Sequence, residues 1–309
     1  MPEGRPPRRH AGARRPDAPG ADAPKAGGRR NARTEIAPRI ASGRGDPKGD
    51  PKGGGKGGGK GDRIAKLLAR AGAGSRRDIE RMIAEGRVSL DGKVLETPAT
   101  ILKTLEGVMV DGKPVEDAQA CRLFLFHKPS GVLTAARDPG GRPTIYDVLP
   151  PGLPRLVPVG RLDLNTEGLL LLTNDGELKR ALELPATGIP RTYRVRAMGR
   201  VRQQDLEALA MGVTLEGVRY GPVDASVDRR ATAGGANIWL TMTLTEGKNR
   251  EVRKLCEAMG LRVSRLIRTA YGPFNLSDIP VRGLEEAPSS AVSGLQRSLG
   301  RRAQQSPQA

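Results

Sequence analysis

Apolar and polar positions fall into a regular pattern only from Asp62 onward. Ile64, Leu67, Leu68 and Ala71 stand at i, i+3, i+4 and i+7, which predicts a short helix ended by Gly72 and Gly74. Ser75 with Asp78 three residues on predicts the capped start of a second helix, with Ile79, Met82 and Ile83 facing inward until Gly86. Two hairpins are then predicted: Val88-Ser89-Leu90 and Val94 flank Asp91-Gly92, and Val108-Met109-Val110 and Val115 flank Asp111-Gly112. Past Arg122, the run Leu123-Phe124-Leu125-Phe126 predicts a buried strand that enters a loop at His127-Lys128-Pro129-Ser130-Gly131. Leu169 to Leu172, closed by the turn Asn174-Asp175-Gly176, predicts another. Strands are expected at Tyr193–Ala197 and Ile238–Leu244, and a helix over Gln203–Met211. In a further helix Val252, Leu255, Cys256 and Met259 form the inner face, leaving Arg250, Arg253, Lys254 and Glu257 on another. This interleaving predicts an α+β fold on a largely antiparallel mixed sheet with flanking helices.

Residues 1–61 lack this pattern. They are rich in Pro, Gly, Ala and Arg, and Lys48, Lys52, Lys56 and Lys60 recur at every fourth position. Such a segment cannot bury enough surface to offset the entropy of ordering, so a disordered basic tail is expected, and another over 287–309. Between them, ordered parts are expected over 62–115 and 120–286. Charge sharpens the picture. The 309 residues carry a formal net charge of +18, and residues 1–61 hold half of it, 15 Lys and Arg against 6 Asp and Glu. A chain this basic points to a polyanionic partner, first of all nucleic acid. No apolar run approaches a membrane span, so no membrane partner is expected. Cys121 and Cys256 belong to no CxxC, and with only two histidines no zinc-site spacing exists. A cytoplasmic protein without a metal is the expectation.

The candidate chemistry centres on Gly160-Arg161-Leu162-Asp163-Leu164-Asn165-Thr166-Glu167-Gly168, which sets one carboxylate beside a guanidinium on a loop feeding the Leu169–Leu172 strand. Catalytic groups are often placed this way, although an isolated Asp more often caps its own turn. Two later segments bear on it: Pro190-Arg191-Thr192-Tyr193-Arg194-Val195, and Glu246-Gly247-Lys248-Asn249-Arg250-Glu251-Val252-Arg253-Lys254, which leads on to Leu266. The break at Gly247 sets cations near a helix N-terminus, where the dipole also favours an anion.

Taken in order, these three motifs and the Lys128-Pro129-x-Gly131 opening resemble the pseudouridine synthase family. The segment from Arg63 through Ser75-Arg76 and Gly86-Arg87-Val88 to Asp91-Gly92 resembles the S4 RNA-binding domain. An S4-like domain ahead of Gly-Arg-Leu-Asp and Asn-Arg-Glu-Val-Arg resembles the bacterial ribosomal members of the family, and that last form leans toward the large-subunit branch. The resemblance implies a cofactor-free isomerisation of uridine in ribosomal RNA, most readily 23S rRNA or an assembling large subunit; a monomer is the expectation for the chain, whose oligomeric state the sequence does not give. It makes Asp163 the nucleophile or base, Arg253 its ion-pair partner, Tyr193 the residue packed on the target base and Leu266 a pocket wall. Arg161 and Arg250 would support the site. Arg63, Arg76, Arg77, Arg81, Arg87, Lys93, Lys248 and Lys254 would contact RNA. Whether Asp163 attacks the base or the sugar, or removes a sugar proton, is open at this level. A 16S rRNA synthase and a non-catalytic ribosome-assembly factor are the competing readings.

Overall fold

The computed structural model describes residues 61–116, 119–228 and 237–305. The lysine repeat and all but Gly61 of the expected N-terminal tail lie outside the described residues. Helices α1 (Ile64–Arg70) and α2 (Arg76–Ala84) form as the periodicity requires. The Ser75 hydroxyl accepts from the Asp78 amide at 3.1 Å while the Asp78 carboxylate accepts from the Ser75 amide at 3.0 Å, a reciprocal cap that fixes where α2 starts. Ile64, Leu68, Ile79 and Ile83 pack with Val88 and Val108 into one small core. Both predicted hairpins are present, and they join through Val88–Leu90 and Val108–Val110 into a four-stranded antiparallel sheet.

The larger part is built on a nine-stranded sheet. Its main path runs Val223–Val227, Asn237–Leu244, Arg191–Met198, Arg262–Tyr271, Glu167–Thr173, Leu123–Lys128, Leu284–Glu286. Every neighbouring pair on this path is antiparallel except Arg262–Tyr271 with Glu167–Thr173. The strand Glu167–Thr173 explains its own sequence. Leu169 and Leu171 enter one core with helix α3 (Gly176–Glu183), Leu170 and Leu172 enter another with Phe124, Phe126 and Ile145, and all four leucines are fully buried. A strand covered on both faces has no polar positions to alternate with. A third core gathers Val195, Leu240, Met242, Leu255 and Cys256 under helices α4 (Gln203–Glu207) and α5 (Glu251–Ala258). The predicted helix over Gln203–Met211 is divided, with a 3-10 turn over Ala208–Met211.

The structure corrects the expectation for the C-terminal residues. Helix α6 (Ser289–Gln305) occupies most of that stretch, and Val292, Leu295 and Leu299 are buried in the core shared with α3. Three apolar residues at i, i+3 and i+7 among Ser, Gly, Gln and Arg give a thin stripe, and its partner surface on α3 is more than a hundred residues earlier in the chain. Where the two parts meet, the α1 residues Lys66 and Arg70 pair with Glu177 and Asp175 at the start of α3, the latter at 3.5 Å. Arg70 is therefore tied to α3 within the protein. Among the described residues no helix is long and apolar enough to cross a membrane.

If α6 is a packed element, Leu295→Ala should lower unfolding stability by roughly 2 to 4 kcal/mol, the cost of emptying a core position. Urea unfolding measures this; an unchanged midpoint would return the segment to a tail.

Candidate active site

Asp163 stands on a loop, residues 160–166, held at almost every residue. The Gly160 amide donates to the Glu183 carboxylate at 2.6 Å, and the Leu162 carbonyl accepts from the buried Thr134 hydroxyl at 2.9 Å. The Leu164 carbonyl accepts from the Gly131 amide at 2.8 Å. Beneath the loop lies the Lys128 ammonium, fully buried, donating to the carbonyl oxygens of Thr166 at 2.9 Å, Pro129 at 3.0 Å and Asp163 at 3.2 Å. Burial pushes Lys128 down to about 8, while the Asp163 and Glu167 charges pull it back up. Carbonyl dipoles converging on the nitrogen also favour the charged form. At the end of the loop, Gly168 has φ +102, and a Cβ there would lie 2.3 Å from the Arg268 carbonyl oxygen. Only glycine lets the loop drop into the sheet at its parallel pairing.

The loop borders a cleft of about 830 Å³ whose lining includes Arg161, Asp163, Tyr193, Arg250 and Leu266. The Asp163 side chain is 37% exposed, so it is reachable from the cleft yet partly shielded. The half-buried Tyr193 ring packs against two of the cores, and Leu266, opposite Val195 in the adjoining strand, is 4% exposed. The sequence motifs thus converge on one cavity although they are up to about a hundred residues apart.

The structure reassigns the cation beside Asp163. Arg250 has a guanidinium nitrogen 3.9 Å from the Asp163 carboxylate. Arg253, expected in that role, is 8% exposed and donates to the Asn165 carbonyl at 2.8 Å. Burial and the neighbouring Arg250 charge push the Arg253 guanidinium down, and the Asp163 charge opposes them. Arg253 therefore straps the 160–166 loop, and it lies inside α5's packing instead of on a solvent face. Arg250 reaches Asp163 because it stands just before α5 with φ 51, the left-handed region that non-glycine residues seldom occupy. The turn is held by Glu251, whose carboxylate accepts from the Lys248 amide at 2.9 Å. Glu251 is 3% exposed, and burial beside the Glu246 carboxylate raises its pKa. Glu246 is held low through the Gly221 amide and Lys248, despite its own burial.

Two buried arginines at the back of the cleft were not read as functional. Arg191 donates to the Tyr271 hydroxyl at 2.9 Å and the Thr245 carbonyl at 2.8 Å, and Arg268 donates to the Leu169 carbonyl at 2.8 Å. Their guanidiniums lie 4.8 and 5.1 Å from the Tyr271 ring centroid. The signal was present: Arg191 shares the phase of the buried Val195 and Ala197, and Arg268 that of Leu266. Of the expected RNA-facing residues, Arg63, Arg76, Arg77 and Lys93 are exposed. Arg81 pairs with Asp78 and Glu85, and Arg87 with Glu85 and Asp111, so their charges are already partly answered. Lys248 is paired with Glu246, and Lys254 is half-buried on α5.

Comparison with known proteins agrees with this geometry. Residues 122–258 match the RNA pseudouridylate synthase family and residues 62–108 the S4 domain. Ribosomal large subunit pseudouridine synthase B of Pasteurella multocida (strain Pm70) is 42% identical over 247 residues, covering 77% of this chain and 70% of its own. This chain belongs to the RNA pseudouridine synthase family. An uncharacterized RNA pseudouridine synthase of Rickettsia bellii (strain RML369-C) is 42% identical over 217 residues, 70% of this chain and 93% of that one. A crystal structure of a pseudouridylate synthase superimposes with a TM-score of 0.53 at 23% identity, covering 75% of this synthase and 99% of that chain, a likeness of fold.

Two outcomes test the site. Arg250→Ala should cut turnover at least about tenfold by removing the charge that faces Asp163. Arg253→Ala should lower both turnover and thermal stability, because it unstraps the loop as well; an Arg253→Ala enzyme with wild-type melting would refute the strap. Separately, a buried carboxyl with a raised pKa binds its proton more tightly folded than unfolded, so its contribution to stability is lost as pH rises past the ordinary carboxylate range. Glu251→Gln, which keeps the shape without the charge, should therefore gain stability over wild type from pH 5 to pH 8; parallel melting curves across that range would contradict the assignment.

Proposed function

We propose that this synthase isomerises uridine to pseudouridine at a defined site in ribosomal RNA of the large subunit, with Asp163 as the residue that acts on the extruded nucleotide. The observation that carries the reading is an accessible carboxylate on a loop held by hydrogen bonds, facing Arg250 in a cleft walled by Tyr193 and Leu266. The choice of large-subunit RNA rests on relatives such as ribosomal large subunit pseudouridine synthase B from Yersinia pestis, 43% identical over 242 residues.

The reaction breaks the bond from C1′ to N1 of the base and makes one from C1′ to C5. The proton lost at C5 is balanced by one gained at N1, so the product is an isomer and nothing is oxidised or reduced. A carboxylate serves as nucleophile or base here in its ionised form, and the Arg250 guanidinium stands 3.9 Å from the Asp163 carboxylate. The base must leave its stack to enter the cleft, at a cost of a few kcal/mol. Tyr193 offers a ring against which the extruded base can pack, and Leu266 an apolar floor. The exposed Arg63, Arg76 and Arg77 supply charge for the RNA backbone away from the chemistry.

Asp163→Asn should abolish pseudouridine formation in a large-subunit rRNA transcript while RNA affinity stays within a few-fold, as only the ionisable group is lost. Tyr193→Phe should bind substrate better than Tyr193→Leu, because the ring is kept. A pseudouridine map of rRNA from cells with and without the gene gives the decisive comparison: an identical map would reject the activity, and a missing 16S site would reject the choice of subunit.

A further inference from the structure

The cations lining the cleft divide by what they already hold. Lys179 pairs with Glu183, Lys248 with Glu246, and Arg250 faces Asp163, while Arg191 and Arg268 donate to carbonyl oxygens at the back. Arg155 and Arg161 are different. Both are exposed, both line the cleft, and among the described residues neither has a carboxylate at ion-pair distance. Arg161 belongs to the catalytic loop. Arg155 follows the Pro- and Gly-containing turn at 150–154, and its charge reaches both Asp78 on α2 and Tyr146. Its charge is thus felt both at α2, which carries the exposed Arg76 and Arg77, and at the cleft it lines.

Tyr146 adds an aromatic surface at the same place. It lies on the short 3-10 turn Ile145–Asp147, whose start is fixed by a reciprocal Thr144–Asp147 cap. Its hydroxyl donates to the Leu156 carbonyl at 3.0 Å, next in sequence to Arg155, which pins the far end of the ring. The residue is nevertheless 37% exposed and lines the cleft. A ring anchored at its hydroxyl and partly exposed in the cleft, near a guanidinium without a carboxylate partner, is the pairing by which single-stranded nucleic acid is held: a base stacks and its phosphate is neutralised.

We propose that Tyr146 and Arg155 form a nucleotide subsite at the mouth of the cleft, stacking a base that flanks the target uridine and neutralising the adjoining phosphate. This rests on the reading of the cleft as an RNA site. Its role is to carry the substrate strand from the S4-like helix α2 into the cleft, so it contributes to capture and register while Asp163 keeps the chemistry.

The test uses the full chain and an unmodified large-subunit rRNA transcript, with affinity measured against salt and pseudouridine formation measured against transcript concentration. Tyr146→Leu should weaken binding and raise KM about tenfold, the loss of one stacked base, with kcat within about twofold. Tyr146→Phe should stay near wild type because the ring persists. Arg155→Gln, at an exposed position, should reduce the slope of log affinity against log salt by about 0.7, one phosphate contact on a single strand. The proposal is overturned if Tyr146→Leu binds as wild type, if Phe is as damaging as Leu, or if the salt slope of Arg155→Gln is unchanged. A wild-type protein that makes no pseudouridine in the transcript would remove the enzymatic reading alone, since the affinity measurements still decide the subsite.

Discussion

A buried ammonium holds the Asp163 loop together. The carbonyl oxygens of Pro129, Asp163 and Thr166 belong to two chain segments that form no ladder with each other, and Lys128 gathers them at 2.9 to 3.2 Å. Without that donor the Pro129 and Thr166 oxygens would lose this partner, at roughly 1 to 3 kcal/mol each, while the Asp163 oxygen would keep only the Thr166 amide at 3.0 Å. The arrangement also explains how a residue on a loop can have a fixed position. Strand Leu123–Lys128 pairs with Glu167–Thr173 along its whole length, so the end of one strand is carried to the start of the other, where the loop begins its descent.

The cleft is organised by the same rule, that a buried polar group must be answered nearby. Arg253 answers the Asn165 carbonyl, Glu183 the Gly160 amide, and Arg191 the carbonyl and hydroxyl groups behind the cavity. What is left incompletely answered faces the opening. Asp163 keeps its carboxylate accessible beside Arg250 at a separation where attraction is modest, so the pair is available to a substrate. The left-handed backbone at Arg250 is maintained by the Glu251 contact with Lys248, and local strain of this kind persists only where surrounding contacts determine it.

Much of this was legible beforehand. The two short helices, the Ser75–Asp78 cap and both Asp-Gly hairpins follow from local periodicity and turn chemistry, interactions between residues a few positions apart. The buried strand at Leu169–Leu172 and the inner face of α5 follow for the same reason. Gly168 and Lys128 were visible only as residues in a motif, because their roles depend on the Arg268 backbone and on carbonyls some 35 residues away. Arg253 was misplaced because two arginines three positions apart lie near one face of a helix start, and the left-handed turn at Arg250 decides which one meets Asp163.

By itself, then, the sequence determined the α+β class, the order of an S4-like part before a synthase part, and the motif that sets Asp163 beside Arg161 on a loop feeding a buried strand, since each is written in contiguous segments. Only the tertiary structure decided the rest: that Arg250 faces the carboxylate, that Arg191 and Arg268 are buried in the cleft lining, that a helix beginning at Ser289 closes the core with Val292, Leu295 and Leu299, and that Tyr146 and Arg155 both line the cleft. These depend on which surfaces the sheet order brings together, and strand pairing across a hundred residues leaves no local pattern in the chain.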